Sequence, residues 1–148
     1  CIKFEYKEHG KKKYFEAKSR LSVMNYNDST TREGLRITLG CIAAINKTCI
    51  ENNIKLLVAL IPTDVSVYYH RMADINIDQR YLLDTIVSSE QKLKQVLISE
   101  FKKQNIQFAD ALDSLRARAW TGIYPVMDDH PTGAGYQMIS KAILTRIK

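Results

Sequence analysis

An almost uniformly apolar run at residues 54–61 constrains the fold of this chain more than any other feature. The run reads Ile-Lys-Leu-Leu-Val-Ala-Leu-Ile and stops at Pro62. A short apolar run without alternating polar positions is typical of a central parallel strand that is covered on both faces. We therefore expect an α/β fold in which helices lie on both sides of this strand.

A second predicted strand, at residues 106–109, completes a βαβ unit with the first. Ser88 and Gln91 have the spacing of a capping box, which predicts a helix over residues 88–104 between the two strands. A strand–helix–strand connection of this kind is almost always right-handed and makes the two strands parallel. The sequence therefore predicts a parallel sheet built around strand 54–61.

Further helices are predicted on either side of this unit. Thr30 and Glu33 form another capping box, and the apolar residues that follow at helical spacing predict a helix to about residue 53 with one face in the core. Thr132 can cap the last helix. Cys41 and Cys49 would lie about 12 Å apart along the first of these helices, too far to form a disulfide. We expect both to be small buried residues.

Residues 1–28 predict a β-hairpin followed by a connector. Polar and apolar residues alternate over 2–6, and His9-Gly10 marks the turn. Lysines 11–13 are expected at the tip of the hairpin, where water would solvate them. We treat residues 1–148 as one α/β domain with this hairpin at its N-terminus.

The segment 63–87 has no clear periodicity. A connection of this length usually has a role, often as a lid or a binding loop. A short helix around 78–87 is the alternative. His70 lies in this segment with no acid or nucleophile at a recognisable spacing, so we interpret it as a structural residue.

Composition excludes several classes of protein. A length of 148 residues suits one domain with a sizeable core, and no apolar run approaches the roughly 20 residues that span a bilayer. The net charge of +6 indicates solubility, with attraction to an acidic polymer as the alternative. Basic and aromatic residues do not interleave, which argues against a nucleic-acid partner. The three cysteines lack metal-site spacing, and the compartment stays open.

The stretch 128–136, Asp-Asp-His-Pro-Thr-Gly-Ala-Gly-Tyr, has the residue types of a general-base site. Ligands of open α/β sheets bind beyond the carboxyl ends of the strands, where this loop and Asp110 should emerge. A carboxylate at Asp128 or Asp129 can fix the tautomer of His130, which could then activate a hydroxyl nucleophile. An ordinary polar loop is one alternative. Another is a zinc site of these three residues, with or without His70.

The pattern Asp-x-His-Pro-Thr-x-x-Gly-Tyr before an apolar helix resembles the last motif block of SGNH (GDSL-type) hydrolases. Residues 33–38, 54–63 and 67–68 are similar to bacterial members of that superfamily, including carbohydrate O-acetyltransferases of the cell envelope, and residues 108–112 resemble the strand before the last block. The resemblance covers about residues 30–148, roughly the C-terminal half of the family's fold.

The resemblance implies a three-layer, flavodoxin-like fold with a partial parallel sheet. It implies ester hydrolysis or acyl transfer on an acylated, carbohydrate substrate, with no cofactor and no metal, and an extracytoplasmic or cell-envelope location. His130 would be the catalytic base and Asp128 its orienting acid. The commoner family spacing, Asp-x-x-His, would place Met127 in the acid position, so the acid here is predicted to be Asp128, with Asp129 as the alternative.

The family's Gly-Asp-Ser nucleophile block is absent from this sequence, as are a clear oxyanion glycine block and a Gly-x-Asn-Asp block. A His–Asp pair without a nucleophile and oxyanion donors cannot transfer an acyl group by the triad route. We therefore predict that the serine comes from the N-terminal half of the same protein or from another chain, and that this chain alone is inactive. The alternative is a non-catalytic binding module or a degenerate SGNH relative. A half-sheet should also expose a strand edge at 54–61.

Overall fold

The computed structural model describes residues 3–8, 11–72 and 80–147, with side chains described from residue 13 onward. This part of the chain is mostly helical and contains a small parallel sheet, which makes it an α/β structure. Its strands are β1 (Lys3–Glu8), β2 (Lys11–Glu16), β3 (Leu57–Leu60) and β4 (Gln107–Asp110). Its α-helices are α1 (Ala17–Met24), α2 (Ser29–Glu51), α3 (Asp64–Tyr68), α4 (Arg80–Lys103), α5 (Leu112–Arg116) and α6 (Gly133–Leu144).

Strands β3 and β4 form the predicted parallel pair. Leu57 lies opposite Gln107, and Leu60 lies opposite Asp110, with helix α4 as the connection between the strands. No strand in the described part of the chain pairs with the other edge of β3. The residues of β3 are consequently half-buried, so the expectation of a strand covered on both faces is wrong for these residues.

The core lies between α3, α4, α5 and α6, at the carboxyl end of the sheet. Its fully buried side chains come from both halves of the sequence: Phe15, Val65, Val67, Met72, Leu83, Ile86, Phe101, Leu115 and Ile123. Helix α3 is buried along its whole length. The expectation of a lid or binding loop over 63–87 is therefore wrong for residues 64–72 and 80–87, while residues 73–79 lie outside the described part.

Helix α4 begins eight residues before the predicted start at Ser88. Apolar side chains at 82, 83, 86 and 87 are buried at helical spacing, and their packing extends the helix towards its N-terminus. Ser88 Oγ donates to the Thr85 carbonyl oxygen at 3.1 Å and so does not cap a helix start. The alternative, a short helix around residues 78–87, agrees with the structure over residues 80–87, which form the first part of α4.

Helix α2 runs close to its predicted bounds, but its environment differs from the prediction. Its N-cap is Asp28, whose Oδ1 accepts from the Thr30 N–H at 2.7 Å, whereas Glu33 pairs with Arg36. No residue between Ser29 and Glu51 is buried, so the predicted core face is wrong. The two cysteines of α2 are likewise not buried: Cys41 is exposed and Cys49 is half-buried.

The N-terminal hairpin is part of the core and not an appendage. Strands β1 and β2 pair antiparallel from Lys3 opposite Glu16 to Glu8 opposite Lys11; the predicted turn at 9–10 lies outside the described residues. Phe15 is buried, and its ring packs edge-on against that of Tyr68 at a centroid distance of 5.9 Å. Residues 17–24 form helix α1, where the sequence predicted a continuing hairpin and the start of the connector. None of the helices in the described ranges is long and apolar enough to cross a membrane.

Candidate active site

The loop before α6 is fixed at its base by a close approach between backbone segments. The Thr132 N–H donates to the Ile123 carbonyl oxygen at 2.8 Å, and Thr132 Oγ1 donates to the Gly122 carbonyl oxygen at 3.0 Å. Thr132 is also the N-cap of α6, as predicted. A Cβ atom at Gly135 would overlap the Ile123 carbonyl oxygen and lie 2.8 Å from Pro131 Cβ. Glycine at 135 is therefore required for the helix to approach this turn.

The structure brings the predicted acid and base together. His130 Nδ1 lies 2.7 Å from Asp128 Oδ1, and the backbone N–H of His130 donates to the same oxygen at 2.9 Å. A carboxylate only accepts, so this geometry favours the neutral tautomer with hydrogen on Nδ1 and leaves Nε2 as an acceptor. The His130 side chain is 79% exposed. A hydroxyl group approaching from outside the loop could donate to Nε2.

Hydrogen bonding determines the charge of the carboxylate. The backbone N–H of His130, and after it the imidazole, lower the pKa of Asp128 below its usual value, and the charge of Lys13 acts in the same direction. Asp128 is therefore ionised at neutral pH and can stabilise an imidazolium that forms when His130 takes a proton.

Asp129 has a different environment from Asp128. Its carboxylate forms an ion pair with Arg20 of helix α1, and its Oδ1 lies 3.4 Å from His130 Nδ1. The shorter contact, supported by the second hydrogen bond from the His130 backbone, is the one to Asp128. Of the two carboxylates that the sequence left open, Asp128 is the one that orients the imidazole.

Lys13 is a site residue that the sequence analysis missed. It was expected at a solvated hairpin tip, but it is 3% exposed. Its Nζ lies 2.8 Å from Asp64 Oδ2 and donates to the Asp128 carbonyl oxygen at 2.6 Å. Lys13 and Phe15 lie two residues apart in β2, so their side chains share the face of the strand that is buried.

Further hydrogen bonds hold the segment before the loop in place. The Tyr14 N–H of the hairpin donates to the Val126 carbonyl oxygen at 2.9 Å, and the Tyr124 hydroxyl donates to the carbonyl oxygen of Pro62, after β3, at 3.3 Å. Burial, together with the nearby Asp64 carboxylate, raises the pKa of Tyr124 and keeps it protonated. A cavity of about 220 Å³ lies between β2, α1 and the loop, and Asp128 is in its wall.

Neither Asp110, which the sequence placed near the loop, nor Ser66 joins the candidate site. Asp110 ends β4 and pairs with Lys94 at 2.8 Å instead of joining the loop. Ser66 Oγ donates to Glu90 at 2.7 Å, beyond the carboxyl end of β3. Within residues 13–72 and 80–147, no serine hydroxyl forms a hydrogen bond with His130. The described side chains therefore bring an imidazole and a carboxylate together, with no serine hydroxyl bonded to the imidazole.

The same loop contains the donor atoms of a possible metal site. Ligand atoms of Asp128, Asp129 and His130 lie within 4.8 Å of one another, and all three residues are exposed. Asp129 is paired with Arg20, and His130 Nδ1 is directed at Asp128, so a cation would have to displace both interactions. His70 is exposed and is not a member of this group.

Comparisons with protein-family models, with curated proteins and with solved structures found no match to this chain.

Proposed function

We propose that this chain supplies the His–Asp pair of an SGNH-type serine esterase or O-acyltransferase that acts on an acylated, carbohydrate substrate. His130 would be the general base and Asp128 the residue that orients it. The observation that carries the proposal is the pair of hydrogen bonds from one residue, His130, to one carboxylate oxygen of Asp128. They leave Nε2 facing solvent, where a substrate or a nucleophile could reach it.

The nucleophile in this proposal is a serine outside the 148 residues, on the N-terminal half of the same protein or on another chain. Two observations support this arrangement. Among the residues that the structure describes, no serine hydroxyl forms a hydrogen bond with His130, and no strand pairs with the other edge of β3, as is expected of a sheet that continues in another segment. The finer fold would then be a flavodoxin-like, three-layer sheet of which β3 and β4 are one side.

The test uses the complete protein that contains this chain. Its activated serine would be labelled with a fluorophosphonate probe, and hydrolysis of a small acyl ester would be followed. We expect His130→Ala and Asp128→Asn each to lower kcat/KM by about 10²–10⁴-fold, the range for loss of general-base catalysis. Asp129→Asn is the matched control, because it removes a neighbouring charge that pairs with Arg20, and it should stay within a few-fold of wild type. A His130→Ala enzyme as active as wild type would sink the proposal.

The alternative, a non-catalytic binding module or degenerate relative, is favoured by the absence of a serine partner for His130 among the described side chains. The same experiment separates the two functions. A binding module would leave the complete protein unlabelled by the probe, while an acylated glycan would still bind to it. An enzyme would be labelled at a serine, and His130→Ala would slow the labelling.

A further inference from the structure

The buried ammonium group of Lys13 is the most unusual electrostatic feature beside the candidate site. Burying a charge is costly unless an opposite charge and hydrogen bonds compensate for it. Asp64 supplies the charge at 2.8 Å and is itself held by the Val65 N–H, which donates to Asp64 Oδ1 at 2.8 Å. The ion pair is nearly inaccessible to solvent, with side chains 4% and 5% exposed. A pair in this position connects β2 to the segment after β3.

Lys13 makes one further polar contact, and it is with the candidate site. Of the three donors of the ammonium group, one is directed at Asp64 and another at the Asp128 carbonyl oxygen, 2.6 Å away. The next residue of β2, Tyr14, donates its N–H to the Val126 carbonyl oxygen at 2.9 Å. Strand β2 thus holds the loop at residues 126 and 128, just before His130 in the sequence.

We propose that Lys13 is a positioning residue for the Asp128–His130 pair, because its ammonium group holds the Asp128 carbonyl and so fixes where the Asp128 carboxylate points. The side chain and the carbonyl of Asp128 diverge from the same Cα atom, so an anchored carbonyl limits the directions open to the carboxylate. The effect of Lys13 on catalysis rests on the proposed function. The effect of Lys13 on the position of the Asp128 carboxylate can be measured without any enzymatic activity.

Lysine at this position has a property that an apolar residue lacks. An apolar side chain of similar length could fill the space between the rings of Phe15 and Tyr124, whose centroids lie 5.8 Å and 5.7 Å from Nζ. It could not donate to the Asp128 carbonyl. Lys13→Met alone would leave the Asp64 carboxylate buried without an opposite charge and could prevent folding. The variant chosen for the experiment therefore also replaces Asp64 by the neutral asparagine.

The experiment compares two double variants by NMR spectroscopy. Lys13→Met/Asp64→Asn removes the buried ion pair together with the donor to Asp128. Lys94→Met/Asp110→Asn is the matched control: it removes another Lys–Asp pair of the same 2.8 Å length that does not contact the loop. Imidazole ¹⁵N shifts report the tautomer of neutral His130, assigned by comparison with His130→Ala. Carboxyl ¹³C shifts report the titration of Asp128.

We expect the Lys13→Met/Asp64→Asn protein to lose its preference for the Nδ1–H tautomer and to show a higher Asp128 pKa, while the control keeps both properties of the wild type. In the complete enzyme, kcat should fall with little change in KM. A folded Lys13→Met/Asp64→Asn protein with an unchanged tautomer and unchanged Asp128 titration would overturn the proposal.

A wild-type measurement makes the test independent of whether the variant folds. The Lys13 ammonium should exchange slowly with water and show a scalar coupling across the hydrogen bond between its ¹⁵Nζ and the Asp128 carbonyl carbon. A rapidly exchanging ammonium without that coupling would also overturn the proposal. If the NMR results agree with the proposal but His130→Ala leaves activity intact, the proposed function fails and the positioning role stands.

Discussion

Replacing Gly135 by alanine tests how closely α6 packs against the turn that carries the candidate site. The added Cβ would overlap the Ile123 carbonyl oxygen and lie 2.8 Å from Pro131 Cβ. The closest obstacle is backbone that already accepts a hydrogen bond from the Thr132 N–H, so no flexible side chain can simply rotate away. The first turn of α6 would have to move off residues 122–124.

The magnitude of the effect follows from two opposing contributions. Overpacking of a closely packed site costs about 1–3 kcal/mol. Replacing glycine by alanine inside a helix contributes up to about 1 kcal/mol in the other direction, and less near a helix end such as Gly135. We expect a net loss of about 2 kcal/mol in the free energy of unfolding. For a chain of this size, that lowers the Tm by about 4–8 °C.

Urea unfolding followed by circular dichroism measures this change, and the chain offers two controls. A Cβ at Gly133 or at Gly40 would have no neighbouring atom within 4 Å. Gly133→Ala should therefore lie within about 0.5 kcal/mol of wild type, and Gly40→Ala should stabilise helix α2 by about 0.5–1 kcal/mol. A Gly135→Ala protein as stable as these controls would refute the packing described for α6.

Two further predictions concern charged groups. Glu90 accepts from the Thr63 N–H at 3.1 Å, from Thr63 Oγ1 at 2.5 Å and from Ser66 Oγ at 2.7 Å; Glu90→Ala should cost about 2–3 kcal/mol in urea unfolding, and Glu90→Gln clearly less. His130→Ala should raise the Asp128 pKa in a ¹³C NMR titration but leave it below its usual value, because the backbone N–H, the largest cause, remains. A carboxyl pKa that is lower in the folded state contributes stability above the unfolded-state pKa, and this is lost as the pH falls through the folded-state pKa. Acidification should therefore lower the free energy of unfolding slightly more for wild type than for His130→Ala. An equal decrease in the two proteins would contradict the contribution of the imidazole to the Asp128 pKa.

Local signals in the sequence were sufficient to predict the parallel unit and the contact between Asp128 and His130. The apolar run at 54–61 and the strand at 106–109 predicted β3 and β4, although each predicted strand differs in its bounds from the observed one. Thr132 predicted the start of α6 through capping chemistry that involves only neighbouring residues. The hydrogen bond between His130 and Asp128 is similarly local, since only Asp129 lies between them in the sequence.

The remaining features depend on long-range packing that periodicity does not report. The apolar spacing of α2 predicted a core face, but in the described part of the chain too little packs against this helix to bury it. The start of α4 was missed because buried side chains before Ser88 override a local capping signal. Lys13 was missed because a run of three lysines suggests a solvated turn, whereas its burial depends on Asp64, a residue 51 positions away in the sequence.

Helix α2 is the part of this fold that we expect to open first. None of its 23 residues is buried, and only one row of its side chains is half-buried, so unfolding it exposes less apolar surface than unfolding α3 or α4 would. We therefore expect its amide hydrogens to exchange with solvent through local opening, at a lower free energy than that of global unfolding. The hairpin is joined to Asp64 and to the Asp128–His130 loop by contacts that do not involve α2, so these parts should stay folded when α2 opens.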